Sequence, residues 1–165
     1  KVPNVLKQFN IILKTKLFPS LSIMYNVPLD SLRVIDAFVV KYNSKRQRKL
    51  PIHVDQSKYS FTVALNDECE YSGGGLYLPD RKEVLNTDAG GVMMFNGGTS
   101  HGGYPVFNGT RYIIAVFCYS TYQAGDTGKD YDLEAMLAED NPTSTSTTNI
   151  LSKPVLDLLL KQEVR

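Results

Sequence analysis

Apolar positions change their period twice along the chain. Over residues 4–17, Val5, Phe9, Ile12, Leu13 and Leu17 recur at helical spacing with Lys7, Lys14 and Lys16 between them. This pattern predicts a helix capped by Asn4 and finished before Pro19. A second apolar stretch, 21–27, ends at Pro28 and fits a short helix or a turn. From Arg33 the texture becomes β: residues 34–42 are rich in β-branched and aromatic side chains and too few for a good helix. Further strands are predicted at 59–65, 75–78, 83–85, 91–95, 104–107 and 111–119, separated by Gly-rich turns at 72–75, 88–91 and 96–98. Many short strands between such turns point to a mainly β jelly roll or sandwich rather than to alternating βα units.

After Tyr122 the texture changes again. Residues 123–149 are acidic and then Ser/Thr-rich, a composition suited to a flexible connection. The end, 150–165, carries Leu151, Val155, Leu156, Leu158, Leu159 and Leu160. It reads as a short helix with Ser152 as N-cap and Pro154 in its first turn. Its apolar face needs cover from the jelly roll or from another chain, so an oligomer through this helix is one expectation. The layout is therefore one domain over 1–122, with helical support at 1–32 and a jelly-roll core at 33–122, followed by the connection and the C-terminal helix.

Composition narrows the partners. The 165 residues hold 18 Lys plus Arg against 17 Asp plus Glu, a formal charge of +1. That balance gives no general reason to expect nucleic acid or an anionic membrane. No apolar run approaches the roughly 20 residues of a membrane-spanning helix. The chain begins at Lys1 without a signal-peptide pattern, as expected of a processed chain or an excised fragment. Cys69 and Cys118 are too few for a disulfide framework and are expected to be buried thiols. Asn108-Gly109-Thr110 satisfies the glycosylation pattern, whereas Pro142 disqualifies Asn141.

The chemistry-bearing residues are few. The chain has two histidines, one in His53-Val54-Asp55 and the other at His101. On a strand, residues i and i+2 share a face, so His53 and Asp55 would converge. Two His and one carboxylate on one face of a metal form a triad that leaves coordination positions open, as non-haem Fe(II) requires. A structural histidine beside a turn remains the plain alternative. Arg111 lies on the apolar run 111–117, where a buried guanidinium needs an anionic partner. Either the distal carboxylate of a 2-oxo acid or a structural Asp or Glu would serve. The glycine runs 73–75 and 97–98 lack the lysine and helix start of a phosphate loop and read as strand-end turns. The basic stretch 45–49 is either a solvated connection or a local positive field beside the site, one that would favour an acidic peptide or another polyanion.

The stretches AFVVKY (37–42), HVDQSKYSFTVALND (53–67), YSGGGLYL (71–78) and HGGYPVFNGTRYI (101–113) together resemble the Fe(II)/2-oxoglutarate dioxygenases, in the procollagen lysyl hydroxylase and prolyl 4-hydroxylase branch. The likeness covers about residues 33–120 and is nearest to the lysyl hydroxylase catalytic domains. It implies a double-stranded β-helix with His53, Asp55 and His101 as iron ligands and Arg111 as the anchor of 2-oxoglutarate. It further implies that Tyr42 lines the cosubstrate pocket, as does Thr62, which stands where the lysyl hydroxylases have an asparagine. Fe(II), 2-oxoglutarate and O2 are the implied cofactors, with ascorbate as a further candidate. Asp55 favours hydroxylation, because related halogenases lack this carboxylate. Three functions remain open: hydroxylation of a lysyl or prolyl residue in a protein or peptide, hydroxylation of a free amino acid or other small molecule, and a binding module without catalysis.

Overall fold

The computed structural model describes residues 3–122; the connection 123–149 and the helix expected over 150–165 lie outside the described residues. The N-terminal segment is helical from Pro3 to Tyr25, as α1 (Pro3–Ile12), a π-helical turn (Leu13–Leu17) and α2 (Phe18–Tyr25). Two expectations are corrected here. Pro3 rather than Asn4 opens the first turn, and Pro19 does not end the helix. Pro19 sits in the first turn of α2, next to a turn in which the Phe18 N–H reaches back five residues to the Leu13 carbonyl. This widened turn accommodates the missing proline donor. Phe9, Leu13, Leu17 and Leu21 keep a spacing of four throughout and are all buried. Asn26 stops α2 in the left-handed conformation at φ 48°.

Nine strands follow: β1 (Leu32–Asn43), β2 (Leu50–His53), β3 (Tyr59–Ala64), β4 (Tyr71–Gly73), β5 (Leu76–Leu78), β6 (Glu83–Leu85), β7 (Val92–Asn96), β8 (His101–Gly103) and β9 (Val106–Ser120). All pairings are antiparallel. One sheet runs β1-β9-β3-β7, with β4 beside the first part of β9, and the other runs β2-β8-β5-β6. The chain crosses repeatedly between the two sheets, which is the expected double-stranded β-helix. The expected strands at 104–107 and 111–119 are one strand, β9. Gly109 (φ +77°) lies at the point where β9 passes from β4 to β1. A Cβ there would stand 2.4 Å from the Glu70 carbonyl, so this glycine serves a close approach rather than a reversal.

Strand alternation gives the first sheet two unlike faces. Tyr59, Phe61 and Val63 of β3 and Val116 and Cys118 of β9 pack with Phe9, Leu13, Leu17 and Leu21 of the helices. Each fully buried aliphatic or aromatic side chain there contributes about 1.5–3 kcal/mol of transfer free energy. Ser60 and Thr62 of β3 and Arg111, Ile113, Ala115 and Phe117 of β9 instead line a cavity of about 380 Å³ between the sheets. Cys118 is buried as expected, and burial pushes its thiol up to about 12. Cys69 is exposed, on a 3₁₀ turn whose three residues all lie outside the core.

Candidate metal centre and cavity

His53 and His101 face each other as register partners of β2 and β8, with ring centroids 4.4 Å apart. Each ring is oriented from behind: Nδ1 of His53 lies 2.8 Å from the Pro51 carbonyl, and Nδ1 of His101 lies 2.8 Å from the Thr99 carbonyl. In the tautomer that donates Nδ1–H to these carbonyls, each Nε2 lone pair is left for a ligand. Phe95 packs against the His101 ring at 4.5 Å. Burial holds the His101 pKa below the ordinary value, against the opposing pull of its Thr99 hydrogen bond and the Asp55 charge. A neutral imidazole is the form that binds metal.

Asp55 reaches the same point by another route. β2 ends at His53, so the shared strand face expected for His53 and Asp55 does not apply. A loop places the carboxylate instead: the Asp55 N–H donates to the Gly97 carbonyl at 2.8 Å. Gly97 allows that approach, since a Cβ there would stand 1.9 Å from the Ser57 carbonyl oxygen. Asp55 Oδ1 lies 3.3 Å from His53 Nε2, and Oδ2 lies 3.7 Å from His101 Nε2. Ser60 Oγ donates to Oδ2 at 2.5 Å and is itself 2.7 Å from Ser57 Oγ. The donor atoms of His53, Asp55 and His101 all lie within 4.8 Å of one another, a spacing that one metal ion would close. Two imidazoles and a carboxylate suit Fe(II) and leave further positions for other ligands.

The same cavity reaches Arg111, whose side chain is 4% exposed. Its Nε has no hydrogen-bond partner among the described residues, and the ion pairs among them both belong to Asp55. The structural carboxylate that would have explained Arg111 is thus absent from the described residues. Thr62 Oγ1 is likewise buried without a partner. Tyr42 stacks under the guanidinium at 5.9 Å from its ring centroid. Burial raises the Tyr71 pKa, and the neighbouring Arg111 charge and hydrogen bond act the other way. Gly74 (φ +70°) leaves room for this stem, because a Cβ would meet Arg111 Cδ and the Tyr71 ring at 3.0 Å. The glycines 73–75 therefore form a turn between β4 and β5 and a wall of the pocket. A buried guanidinium Nε and a buried hydroxyl without partners are costly on their own, and the two fit a carboxylate guest such as the distal end of 2-oxoglutarate.

The structure brings all six sequence-derived residues, Tyr42, His53, Asp55, Thr62, His101 and Arg111, to one cavity. Sequence reasoning missed Ser57, Ser60 and Tyr71. The serines lie inside the stretch 53–67, and their polar character at interior positions was the available signal.

No family model matches the chain. It is 40% identical over 84 residues to human procollagen-lysine,2-oxoglutarate 5-dioxygenase 2, an alignment covering 48% of this chain and 11% of that protein. The chain thus spans about a ninth of that relative's length. Among solved structures it is similar to a 2OG-Fe(II) oxygenase family oxidoreductase from Burkholderia pseudomallei, with TM-score 0.56 and 13% identity over 69% of this chain and 56% of that one. It is also similar to the viral collagen prolyl hydroxylase of Paramecium bursaria Chlorella virus-1, with TM-score 0.50 and 18% identity over 65% and 66% of the two chains. The fold is that of the 2OG-Fe(II) oxygenases. The similarity in sequence is to the procollagen lysyl hydroxylases, as the motifs implied. In this oxygenase fold the cluster and the Arg111 guanidinium share one cavity, between the two sheets.

Proposed function

We propose that the chain is the catalytic domain of an Fe(II)- and 2-oxoglutarate-dependent dioxygenase that hydroxylates a lysyl or prolyl residue of a protein or peptide. The observation that carries this reading is the shared cavity: a metal-competent His53–Asp55–His101 cluster and a buried Arg111 without an ion-pair partner among the described residues open into the same space. When bound, Fe(II) with 2-oxoglutarate and O2 supplies oxidation of a C–H bond to an alcohol, with succinate and CO2 as coproducts. His53, Asp55 and His101 hold the metal, and the Pro51 and Thr99 carbonyls keep both rings aimed at it. Ser60, backed by Ser57, orients the Asp55 carboxylate. Arg111 takes the distal carboxylate of the cosubstrate as a fork, Thr62 adds a hydroxyl donor, and Tyr42 covers the guanidinium face. The apolar walls Ile113, Ala115 and Phe117 exclude water around these groups. The protein substrate rests on the relatives named for procollagen lysine, and lysine is placed ahead of proline because the sequence match is to them.

The test is succinate release from 2-oxoglutarate with Fe(II), measured with lysyl and prolyl peptides and with free amino acids in parallel. Peptide-stimulated release supports the proposal. Stimulation by a free amino acid alone assigns a small-molecule hydroxylase on the same core, and no release under any condition leaves a binding module.

A further inference from the structure

The segment that leads to the cavity mouth carries a local excess of positive charge in a chain that is nearly neutral as a whole. Between residues 33 and 66 there are seven Lys or Arg against two acidic residues, Asp36 and Asp55, and Asp55 is buried in the metal cluster. Three of the cations have partners: Arg33 donates to the Asp30 and Leu32 carbonyls, and Lys41 and Lys58 lie over the Tyr112 and Tyr59 rings. The other four, Lys45, Arg46, Arg48 and Lys49, are exposed, and neither ion pair among the described residues involves them.

Their backbone is nevertheless held in place. Asn43 receives the loop through Asn43 N–H to the Gln47 carbonyl (2.9 Å), Arg46 N–H to the Asn43 carbonyl (3.0 Å) and Lys45 N–H to Asn43 Oδ1 (2.9 Å). Val106 N–H closes the far side on the Arg48 carbonyl at 2.8 Å. Gln47, in the middle of the four cations, and Leu50, just after them, both line the cavity. The charges therefore stand on the rim of the site.

The strand after the loop suits a peptide. β2 is the terminal strand of its sheet among the described residues and ends at His53, with Ile52 exposed on it and Val54 exposed just past its end. An open strand edge offers main-chain hydrogen bonds, and exposed apolar side chains beside it grip an extended chain. The open strand edge favours a peptide over a nucleic-acid strand, whose binding turns on base stacking and backbone charge rather than on main-chain pairing. A strand rises about 3.3 Å per residue, so the four steps from Lys49 to His53 span about 13 Å, the reach of about four residues of extended peptide.

We infer that the loop 45–49 docks an acidic segment of the peptide substrate, about four residues from the residue presented to the metal centre. This rests on the proposed hydroxylase reading and names the substrate class for it. The test is fluorescence anisotropy with labelled lysyl peptides of about twelve residues, flanked by Glu, by Ser or by Arg, and with a labelled single-stranded oligonucleotide of similar length. The full chain, loaded with Mn(II) and 2-oxoglutarate, should bind the Glu-flanked peptide about tenfold more tightly than the Ser-flanked one at about 20 mM salt. That preference should collapse at about 0.5 M salt, where screening lengths shorten to a few ångströms. The combined variant Lys45→Ser, Arg46→Gln, Arg48→Gln, Lys49→Ser should bind the two peptides equally. Equal binding by the unaltered chain, no binding of any peptide, an unchanged preference in the variant or tighter binding of the oligonucleotide would each overturn the inference. Peptide-free succinate release by the unaltered chain is measured alongside: it reports on the dioxygenase reading alone, so the two failures are distinguishable.

Discussion

The two faces of the β3 and β9 strands obey opposite rules. On the helix side, Phe61, Val116 and Cys118 are fully buried among apolar neighbours. On the cavity side, Thr62 and Arg111 hold buried polar atoms with no partner among the described residues. Protein interiors pair their buried polar groups almost without exception, so the second face is built for a guest and the first for stability. The difference also separates the energetic roles of neighbours in sequence: residue 61 supports the fold, and residue 62 waits for a ligand.

The largest effect that would break this contrast is at the metal centre. His101→Ala should lower Mn(II) affinity by more than about a hundredfold, beyond what loss of an outer-shell partner costs, and abolish turnover. Its melting temperature without metal should stay within a few degrees of the parent chain's. Retained metal binding, followed by calorimetric titration, would remove His101 from the site.

Next come the neighbours on β3. Phe61→Ala should cost about 3–5 kcal/mol in urea unfolding, because it opens a cavity against the helices. Thr62→Val should leave stability unchanged or raise it by about 1 kcal/mol, since it removes an unsatisfied hydroxyl of similar shape, while 2-oxoglutarate binding weakens. Similar destabilisation by both would erase the distinction between the faces.

Arg111 sharpens the comparison further. Arg111→Met removes a buried unpaired charge, so stability should rise even as 2-oxoglutarate affinity falls by about a hundredfold. Arg111→Lys keeps the charge and loses the fork, and the apparent KM for 2-oxoglutarate should rise about tenfold. An unchanged KM in Arg111→Lys would contradict the anchor. Tyr42→Phe should shift the same KM in the same direction by less.

A smaller effect is expected behind the ligands. Ser60→Ala should weaken Mn(II) binding by about tenfold and Ser60→Thr should restore most of it, read from the resonance of the free ion. Smallest is the pH response of the metal-free chain. Burial holds His101 below its ordinary value of 6.5, so the unfolded chain takes up this proton first as the pH falls. Stability is then complete above about pH 6.5 and declines toward the folded pKa, a slope that His101→Gln should flatten.

Much of this was legible in the chain. Strands appear where β-branched and aromatic residues run between glycines, because pleated, half-buried positions select those side chains. The metal residues stand out because few side chains can ligate, and only two histidines are present. Pattern failed where partners are distant in sequence. The gap left between the expected strands 104–107 and 111–119 is the interior of β9, since Gly109 answers to Glu70 across the sheet. Pro19 reads as a stop, and the π turn before it carries the helix onward.

The sequence by itself determined the fold class, the helix-then-strand order and the residue types able to bind a metal and an anion, because periodicity and ligand chemistry are local properties. Only the tertiary structure decided that Asp55 is aimed by a loop resting on Gly97, that Ser60 tethers its carboxylate, and that Arg111 has no ion-pair partner among the described residues. Whether a buried charge is paired depends on every strand that packs around it, and no window along the chain contains that answer.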